Sequence, residues 1–250
     1  MTTELRTHDF HTLIETPEML DYGVYLQCDK LLSCQTPIAS LSTHDEMQFQ
    51  IVHQVEELWM KLIAFSLTEI MALLPQRHTF KILTLFKRVN MLQQMMIDQL
   101  AVLETMSPKD YQAVRLQLGN GSGQESPGFR TLLKMPNSLW QLYKTHYLDE
   151  DGLTVKQIYD DQYTHDGHYS VAEAYLDFDE QFQIFRWRHL FLINRSIGIS
   201  AKSLKGRSVD VLKKGASHRF FPELWDVRSE MTDQWGDEYG VKRDSISGKS

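Results

Sequence analysis

The feature that most constrains the fold of this sequence is a long helical pattern that begins at Thr43. Thr43 and Glu46 have the spacing of a capping box, in which two side chains satisfy free amides at the start of a helix. Pro75 ends the pattern, because proline cannot continue a helix. Between these limits apolar residues recur at helical spacing, namely Met47, Ile51, Val55, Leu58, Leu62 and Phe65. We therefore predict one long amphipathic helix in this part of the chain.

Three further stretches also predict helices. A second apolar stripe runs from Phe80 to Met106. Ser107-Pro108-Lys109-Asp110 then starts a third helix, with serine as the cap, proline in the first turn and an acid near the positive end of the helix dipole. This helix must stop at the segment from Gly119 to Gly123. A last long helix is expected from about Phe178 to Ser200.

The remaining segments contain turn signals instead of strand signals. Pro127-Gly128 and Pro136-Asn137 indicate turns, and the polar stretch from Asp149 to Tyr169 indicates a surface excursion. Strand-like alternation of apolar and polar residues does not persist anywhere in the sequence. The predicted fold class is therefore all-α, a helical bundle, and residues 1–250 are expected to form a single domain.

Composition narrows the functional classes. With 250 residues, 42% of them hydrophobic, the chain is long enough to bury a substantial core. A net charge of -7 argues against a nucleic-acid partner, because phosphate binding needs a clustered basic face. Cys28 and Cys34 are too few for a disulfide framework or a zinc or iron–sulfur site. The amino terminus lacks a signal-peptide core, and no apolar run reaches the roughly 20 residues that span a bilayer, so we expect a cytoplasmic protein without membrane contact.

Two histidines lie on predicted helix faces among apolar residues. His189 is in the segment FRWRHLFLINRSIG, and Phe182 and Phe185 precede it on the same predicted helix. An imidazole in such a place is most often a buried core residue, but a protein also holds a haem iron from one side in this way. His53 follows Phe49 by four residues, so the two side chains share a helix face. His53 is either a core histidine at a helix crossing or a functional polar group beside the aromatic ring of Phe49.

An arginine and a glycine-rich segment are further candidates for ligand binding. Arg115 lies four residues after Tyr111, and its planar guanidinium suits a carboxylate, either of a ligand or of an acidic side chain of the protein. The segment GNGSGQESPG that follows can expose backbone amides close to a ligand. The sequence His165-Asp166-Gly167-His168 could bind a metal, but it lacks a third ligand at fixed spacing.

Five stretches of the chain, taken in order, resemble the tryptophan 2,3-dioxygenase family. They are YGVYLQCDKLLSCQTP, HDEMQFQIVHQVEELWMK, SPKDYQAVRLQLG with the glycines after it, FRWRHLFLINRSIG and FFPELWDVR. The resemblance spans most of the chain. It implies a b-type haem, O2 as co-substrate and a homotetramer. It also implies oxidative cleavage of the indole C2–C3 bond of L-tryptophan, or of a close analogue, to an N-formylkynurenine-type product.

The resemblance implies roles for individual residues. His189 matches the axial ligand of the haem iron on the proximal side. His53 matches the distal histidine that faces the indole N–H, and Phe49 matches an aromatic residue that lines the same pocket. Arg115 matches the arginine that pairs with the substrate carboxylate, with Tyr111 beside it.

The amino-terminal segment, residues 1–40, has a separate role in the resemblance. Tyr22, Tyr25 and Leu26 match residues that the family inserts into the pocket of a neighbouring subunit. The resemblance therefore implies that this segment completes the active site of another chain.

The substrate loops depart from the family pattern. After the axial-ligand helix the family has a glycine-rich loop, but this chain reads Lys202-Ser203-Leu204-Lys205-Gly206-Arg207-Ser208. Ser203 keeps a hydroxyl where the family's threonine meets the substrate, while the lost glycines remove the freedom for tight backbone approach. In the other loop Ser122 and Gly123 match the substrate-binding residues of the family.

The same second loop also contains replacements. Ser126 matches the family, whereas Gln124, Glu125 and Pro127-Gly128 replace bulkier or apolar residues. Glu125 brings a negative charge near the expected pocket, where it could meet an ammonium group or a polar substituent of the substrate.

Three alternatives to tryptophan cleavage stay open. Because the altered loops lie on the substrate side, the chain could be a haem-dependent monooxygenase that hydroxylates a modified tryptophan or another aromatic amino acid. It could also be a non-catalytic haem-binding or haem-sensing protein. Retention of Arg115, Tyr111 and Ser203 argues against a mere haem holder, which needs no carboxylate clamp. The third alternative is a helical scaffold without haem.

Overall fold

The computed structural model describes residues 15, 19–119, 121–159, 167–199, 210–235 and 245–247, and the structural statements below concern these residues. Within them the chain forms helices and turns without a β-strand, which confirms the predicted all-α class. The α-helices are α1 (Asp21–Leu26), α2 (Cys28–Leu31), α3 (Asp45–Leu73), α4 (Thr79–Leu103), α5 (Pro108–Gln117), α6 (Pro127–Leu132), α7 (Met135–Tyr143), α8 (Val155–Ile158), α9 (Gly167–Ile197), α10 (Asp210–Ala216) and α11 (Pro222–Trp235). Short 3-10 turns occupy Ile38–Ser40, Gly123–Glu125 and Asp149–Asp151, and a π-helical turn, Lys144–Leu148, continues α7. No helix in this part of the chain is long and apolar enough to cross a membrane.

Helix α3 confirms the predicted long helix but not its predicted cap. The carboxylate of Glu46 accepts hydrogen bonds from the backbone amide and the hydroxyl of Ser42, both at 2.6 Å. The predicted capping partnership of Thr43 with Glu46 is wrong, because the hydroxyl oxygen of Thr43 is buried and makes no hydrogen bond within the described residues. The helix begins at Asp45, so Glu46 reaches back to Ser42 one full turn away.

The next two helices agree with the sequence analysis. Helix α4 begins one residue before the predicted Phe80 and ends at Leu103. Helix α5 is capped by Ser107, whose hydroxyl oxygen accepts a hydrogen bond from the backbone amide of Asp110 at 3.0 Å. After α5 the chain turns at Gly119, whose φ of 56° lies in the left-handed region that favours glycine.

Two prolines begin helices where turns were predicted. Pro127 is the first residue of α6, and Ser126 caps this helix by accepting a hydrogen bond from the backbone amide of Phe129 at 3.0 Å. Pro136 is the second residue of α7. Both positions suit proline, because amides in the first turn of a helix have no partner within that helix. The expectation of isolated turns at these positions is therefore wrong.

Helix α9 begins earlier than the predicted Phe178. It starts at Gly167, and Val171, Tyr175 and Phe178 are buried along one face at helical spacing. The residues before Tyr169 are polar, and for that reason the sequence predicts a surface excursion there. The described part of that excursion contains a turn and α8, and residues 160–166 lie outside the described residues.

The chain divides into two compact units, and each draws on distant parts of the sequence. The first unit contains Met1–Ala64, Met91–Leu133 and Phe182–His218, and the second contains Phe65–Asn90, Lys134–Gln181 and Arg219–Ser250. Helices α3, α4 and α9 contribute residues to both units. The single domain expected from the sequence stays a prediction.

The second unit is built on an aromatic core. Its largest fully buried side chains are Tyr143, Tyr175, Phe86, Phe178 and Phe221. A buried carboxylate, that of Asp179, accepts hydrogen bonds from the backbone amides of Phe220 at 2.8 Å and Phe221 at 3.2 Å. The indole N–H of Trp225 donates to the same oxygen at 3.0 Å. Asp179 thereby fixes the start of α11 to α9.

Candidate active site

The candidate site lies within the first compact unit. Its residues come from the amino-terminal half of α3, from α5, from the turn between α5 and α6, and from the carboxy-terminal half of α9. Apolar side chains form the core beneath these elements; they include Val52, Met60, Met96, Leu100, Val114, Leu132, Phe182, Phe185, Leu190 and Leu192. The site is therefore assembled from stretches that are far apart in the sequence.

His53 on α3 has one ring nitrogen engaged and the other open. Its Nδ1 lies 2.7 Å from the backbone carbonyl oxygen of Phe49, one helical turn earlier. Burial lowers the pKa of His53, although the Phe49 carbonyl and the charge of Glu57 oppose this effect. The imidazole is therefore neutral at neutral pH. Because a carbonyl can only accept, we assign the proton to Nδ1, which leaves the lone pair of Nε2 as an acceptor.

His189 on α9 is also neutral. Burial, with a smaller contribution from the nearby His53, lowers its pKa to about 4. The ring of Phe185, one turn earlier on α9, lies parallel to that of His189 with the centroids 6.3 Å apart. A neutral imidazole with an available lone pair can ligate a metal ion or a haem iron. The electrostatic interaction between the two histidines means that they lie close together.

The turn between α5 and α6 forms a third side of the site. A methyl group added to Gly123 would lie 4.0 Å from Cε1 of His189, which is ordinary contact distance. Ser122 is exposed and caps the Gly123–Glu125 turn, because its hydroxyl oxygen accepts a hydrogen bond from the backbone amide of Gln124 at 3.4 Å. The predicted loop residue Gly123 is thus next to the predicted ligand His189, and Ser122 precedes it on the same turn.

Helix α5 brings an aromatic and a cationic side chain to the same region. The rings of Tyr111 and Phe49 are 6.3 Å apart between centroids, and Phe49 in turn lies 4.1 Å from the ring of His53. Burial raises the pKa of Tyr111, and the charge of the nearby Arg115 opposes the rise. The phenol is therefore protonated at neutral pH and lies close to the guanidinium. The structure places Phe49, His53, Tyr111 and Arg115 in one group, and the role of each residue stays a prediction.

A glutamate that the sequence analysis overlooked fastens the turn to α3. Both carboxylate oxygens of Glu57 accept hydrogen bonds, one from the hydroxyl of Ser126 and the other from the backbone amide of Gly128 at 2.9 Å. Glu57 follows His53 by four residues and therefore lies on the same face of α3. That spacing was visible in the sequence, but no local signal identified the distant turn as its partner.

A second overlooked glutamate holds the helix that carries His189. The carboxylate of Glu104, just after α4, forms salt bridges with Arg188 and Arg195. The distances between nitrogen and oxygen atoms are 3.0 Å and 3.6 Å. Arg186 on the same helix donates a hydrogen bond to the backbone carbonyl of His218 at 2.5 Å. These contacts, on both sides of His189 in the sequence, fix α9 within the unit.

Three predicted site residues lie apart from this group, and a fourth is outside the described residues. Tyr22, Tyr25 and Leu26 lie on α1 with 76%, 85% and 44% of their surfaces exposed. Ser203, like the whole loop 202–208, lies outside the described residues. Of the possible metal motif, His168 binds Asp151 at 2.6 Å in the second unit, and His165 and Asp166 are outside the described residues.

Comparison with known proteins gives the family. A family model described as tryptophan 2,3-dioxygenase matches residues 10–151, which include His53 and Arg115. The tryptophan 2,3-dioxygenase of Serratia proteamaculans is 33% identical, over 85% of this chain and 93% of its own length. That of Myxococcus xanthus is 30% identical, over 84% and 89%, and that of Rhodococcus jostii is 30% identical, over 86% and 93%. The chain belongs to the tryptophan 2,3-dioxygenase family.

Membership defines the class of enzyme. Tryptophan 2,3-dioxygenases are haem-dependent dioxygenases, so this chain is an oxygenase of that type. The family match ends at residue 151, before α9 begins, and therefore does not include His189. The proximity of His189 to His53 is thus a structural observation that is independent of this match.

Proposed function

We propose that this chain cleaves the indole C2–C3 bond of L-tryptophan, or of a close analogue, with O2 and a b-type haem, to give an N-formylkynurenine-type product. The observation that carries the proposal is the pair of neutral histidines, His53 and His189, which lie close together beside Tyr111 and Arg115. The reaction needs a neutral imidazole that can ligate the haem iron and a second group that accepts a hydrogen bond from the indole N–H. His189 and His53 can fill these two roles.

His189 is the residue that would hold the haem. Its donor chemistry fits the group, because the low pKa of about 4 keeps the imidazole unprotonated and able to ligate iron across the neutral range. The buried aromatic side chain of Phe185, whose ring is parallel to that of His189, suits a porphyrin face. When bound, the haem supplies the site at which O2 binds and is activated.

His53 would orient the indole. Its Nδ1–H is used by the carbonyl of Phe49, so the open Nε2 accepts a hydrogen bond from the indole N–H. The ring of Phe49, 4.1 Å from that of His53, provides a flat apolar surface for the aromatic system. These two residues thus define the position of the reacting ring.

Arg115 and Tyr111 would bind the amino-acid end. The guanidinium of Arg115 can receive the α-carboxylate in a bidentate pair, and the Tyr111 hydroxyl beside it stays protonated and can donate a hydrogen bond. Ser122 and Gly123 lie on the turn next to His189, within the same group of residues. Ser203 is proposed to add a hydroxyl from the loop outside the described residues.

The amino-terminal segment is proposed to complete the site of a neighbouring subunit in a homotetramer. Tyr22 and Tyr25 expose most of their large side chains on α1, and Leu26 exposes nearly half. Exposed apolar side chains grouped on one short helix are typical of a surface that contacts a partner. Insertion into another subunit's pocket would bury them.

Spectroscopy and mass spectrometry test the function. The reconstituted protein is titrated with L-tryptophan under anaerobic conditions and then exposed to O2. A change in the haem spectrum, followed by a product that has gained two oxygen atoms, supports cleavage. A product with one added oxygen would instead establish a monooxygenase, and no spectral change with any aromatic amino acid would establish a haem-binding protein without this activity. A protein that shows no Soret band after haem is supplied would establish the scaffold.

A further inference from the structure

The carboxylate of Glu57 joins the turn before α6 to α3 through hydrogen bonds at both of its oxygens. Ser126 donates its hydroxyl proton to Oε1, and Gly128 donates its backbone amide to Oε2 at 2.9 Å. Glu57 lies one helical turn after His53. Glu57, which holds the turn, and His53, which is proposed to orient the indole, are therefore on the same helix.

The approach of the turn to α3 is unusually close at Gly128. A Cβ atom at this position would lie 2.7 Å from Oε2 of Glu57 and 2.8 Å from Cβ of Met60. Real Cβ atoms do not approach other heavy atoms so closely, so this contact requires glycine. At this close approach the Glu57 side chain reaches both of its donors on the turn.

The same turn is fixed on its other side to α9. The hydroxyl oxygen of Ser126 accepts a hydrogen bond from the backbone amide of Phe129 at 3.0 Å and so starts α6. The ring of Phe129 stacks on that of Phe182 on α9, with centroids 5.5 Å apart and an interplanar angle of 18°. Glu57 therefore acts on a turn that spans the two helices carrying His53 and His189.

We propose that Glu57 is a positioning residue, whose carboxylate holds the turn of residues 122–128 at the distance from His53 and His189 that substrate binding requires. This role rests on the proposed function insofar as the substrate lies between those histidines. The property that matters is the reach of the side chain, and the charge is secondary. Reach and charge are separable by substitution, because glutamine keeps the length and aspartate keeps the charge.

The test compares Glu57→Gln and Glu57→Asp with the matched control Glu69→Gln. Glu69 is on the same helix but belongs to the second compact unit, where it pairs with the exposed Lys81 at 2.7 Å. In Glu57→Gln the side-chain oxygen can still accept from Gly128, and the amide can donate to the hydroxyl oxygen of Ser126. In Glu57→Asp the carboxylate is withdrawn by one methylene and cannot meet both donors.

Two measurements are made on each variant reconstituted with haem. Hydrogen–deuterium exchange of the peptide containing residues 119–133 reports whether the turn is held, and the spectral titration gives the Kd for L-tryptophan. We expect Glu57→Asp to speed exchange in this peptide and to raise Kd about tenfold, since the shorter side chain loses one of the two hydrogen bonds that hold the turn. Glu57→Gln should change both quantities by less than about threefold. Glu69→Gln should match the wild-type chain.

The reverse order, with Glu57→Asp like wild type and Glu57→Gln impaired, would mean that charge and not reach is required, and the proposal would be wrong. Faster unfolding with unchanged exchange and Kd would reduce Glu57 to a stability role and would also overturn it. If the wild-type chain binds no tryptophan, the proposed function fails. The exchange of the 119–133 peptide alone then decides whether Glu57 holds the turn.

Discussion

The electrostatic interaction with His53 on α3 contributes to the lowered pKa of His189 on α9, although the two histidines are far apart in the sequence. Burial is the larger cause in both, and each imidazole is kept in its neutral form. Two neutral histidines in one site can take different roles, because one can ligate a metal while the other accepts a hydrogen bond.

Removal of His189 should abolish haem retention, whereas removal of His53 should not. In His189→Ala no other histidine is proposed to replace the axial ligand, so the Soret absorbance after reconstitution and gel filtration should fall to background. His53→Ala should keep the Soret band and lose most of the rate of turnover, because the acceptor for the indole N–H is gone. Normal haem binding by His189→Ala would disprove the axial assignment.

Arg115→Ala should weaken substrate binding by about 2–5 kcal/mol, because a carboxylate in the site would lose its charge-assisted partner. The measurement is the Kd for L-tryptophan from the spectral titration. Arg88→Ala, which removes an exposed arginine from α4, is the control and should leave Kd unchanged. Indole, which has no carboxylate, should bind equally well to wild type and to Arg115→Ala; a large loss of indole affinity would contradict a carboxylate clamp.

Glu56→Gln should stabilise the protein at neutral pH. Burial raises the pKa of Glu56 from its usual 4.5 to about 7; Gln99 opposes this shift and the charge of Glu57 adds to it. Between pH 4.5 and about 7 the Glu56 carboxyl has lost its proton in the unfolded chain and keeps it in the folded chain. The free energy of unfolding therefore falls as the pH rises through this range. Glutamine cannot ionise, so the variant should be more stable by about 1–3 kcal/mol at neutral pH and equal to wild type near pH 4.5.

Urea denaturation at several pH values measures this difference. Glu69→Gln is again the control, since it removes an exposed carboxylate of the same helix that pairs with Lys81. A stability difference for Glu56→Gln that does not grow with pH would show that Glu56 titrates normally.

Gly128→Ala should destabilise the first unit by about 1–3 kcal/mol, because the added methyl group overlaps Glu57 and Met60. Gly215→Ala is the matched control: it lies in α10, and nothing lies within 4 Å of its added Cβ. Helix propensity alone should make that control more stable by about 0.5–1 kcal/mol. Thermal unfolding of both variants checks the opposite signs, and equal effects would contradict the close packing at Gly128.

Tyr25→Ser should reduce turnover without lowering the thermal midpoint, since Tyr25 is 85% exposed in the single chain and would act in a neighbouring subunit. Co-expression with His189→Ala tests the exchange directly. The His189→Ala chain supplies an intact amino-terminal segment to the intact haem site of Tyr25→Ser, so mixed oligomers should regain activity. Absence of any recovery in mixed oligomers would mean that Tyr25 acts only within its own chain.

The long helices were predictable because their signals are local. Helix α3 has a continuous apolar stripe that Pro75 ends, and Ser107 and Pro108 mark the start of α5 in the sequence itself. The early start of α9 at Gly167 was missed because its first turns follow a polar segment, and only burial shows that Val171 is part of a core.

The candidate site was predictable in its residues but not in its supports. Phe49, His53, Tyr111 and Arg115 were identified and lie together. The role of Glu57 was not identified, because its partners are a hydroxyl and a backbone amide on a turn about seventy residues later. Almost any residue type can donate its backbone amide, so the type of the partner residue does not indicate such a hydrogen bond. These contacts can be identified only in a structure.

The hydrogen bonds of Glu57 also determine which positions in the turn of residues 122–128 can be substituted without detaching the turn from α3. Ser126 and Gly128 are committed to α3, one by its hydroxyl and the other by its lack of a side chain. Gln124 and Glu125 precede this attachment and are exposed. A library that randomises positions 124 and 125, with 126 and 128 held constant, would sample new substrate preferences while the turn keeps its place on the scaffold.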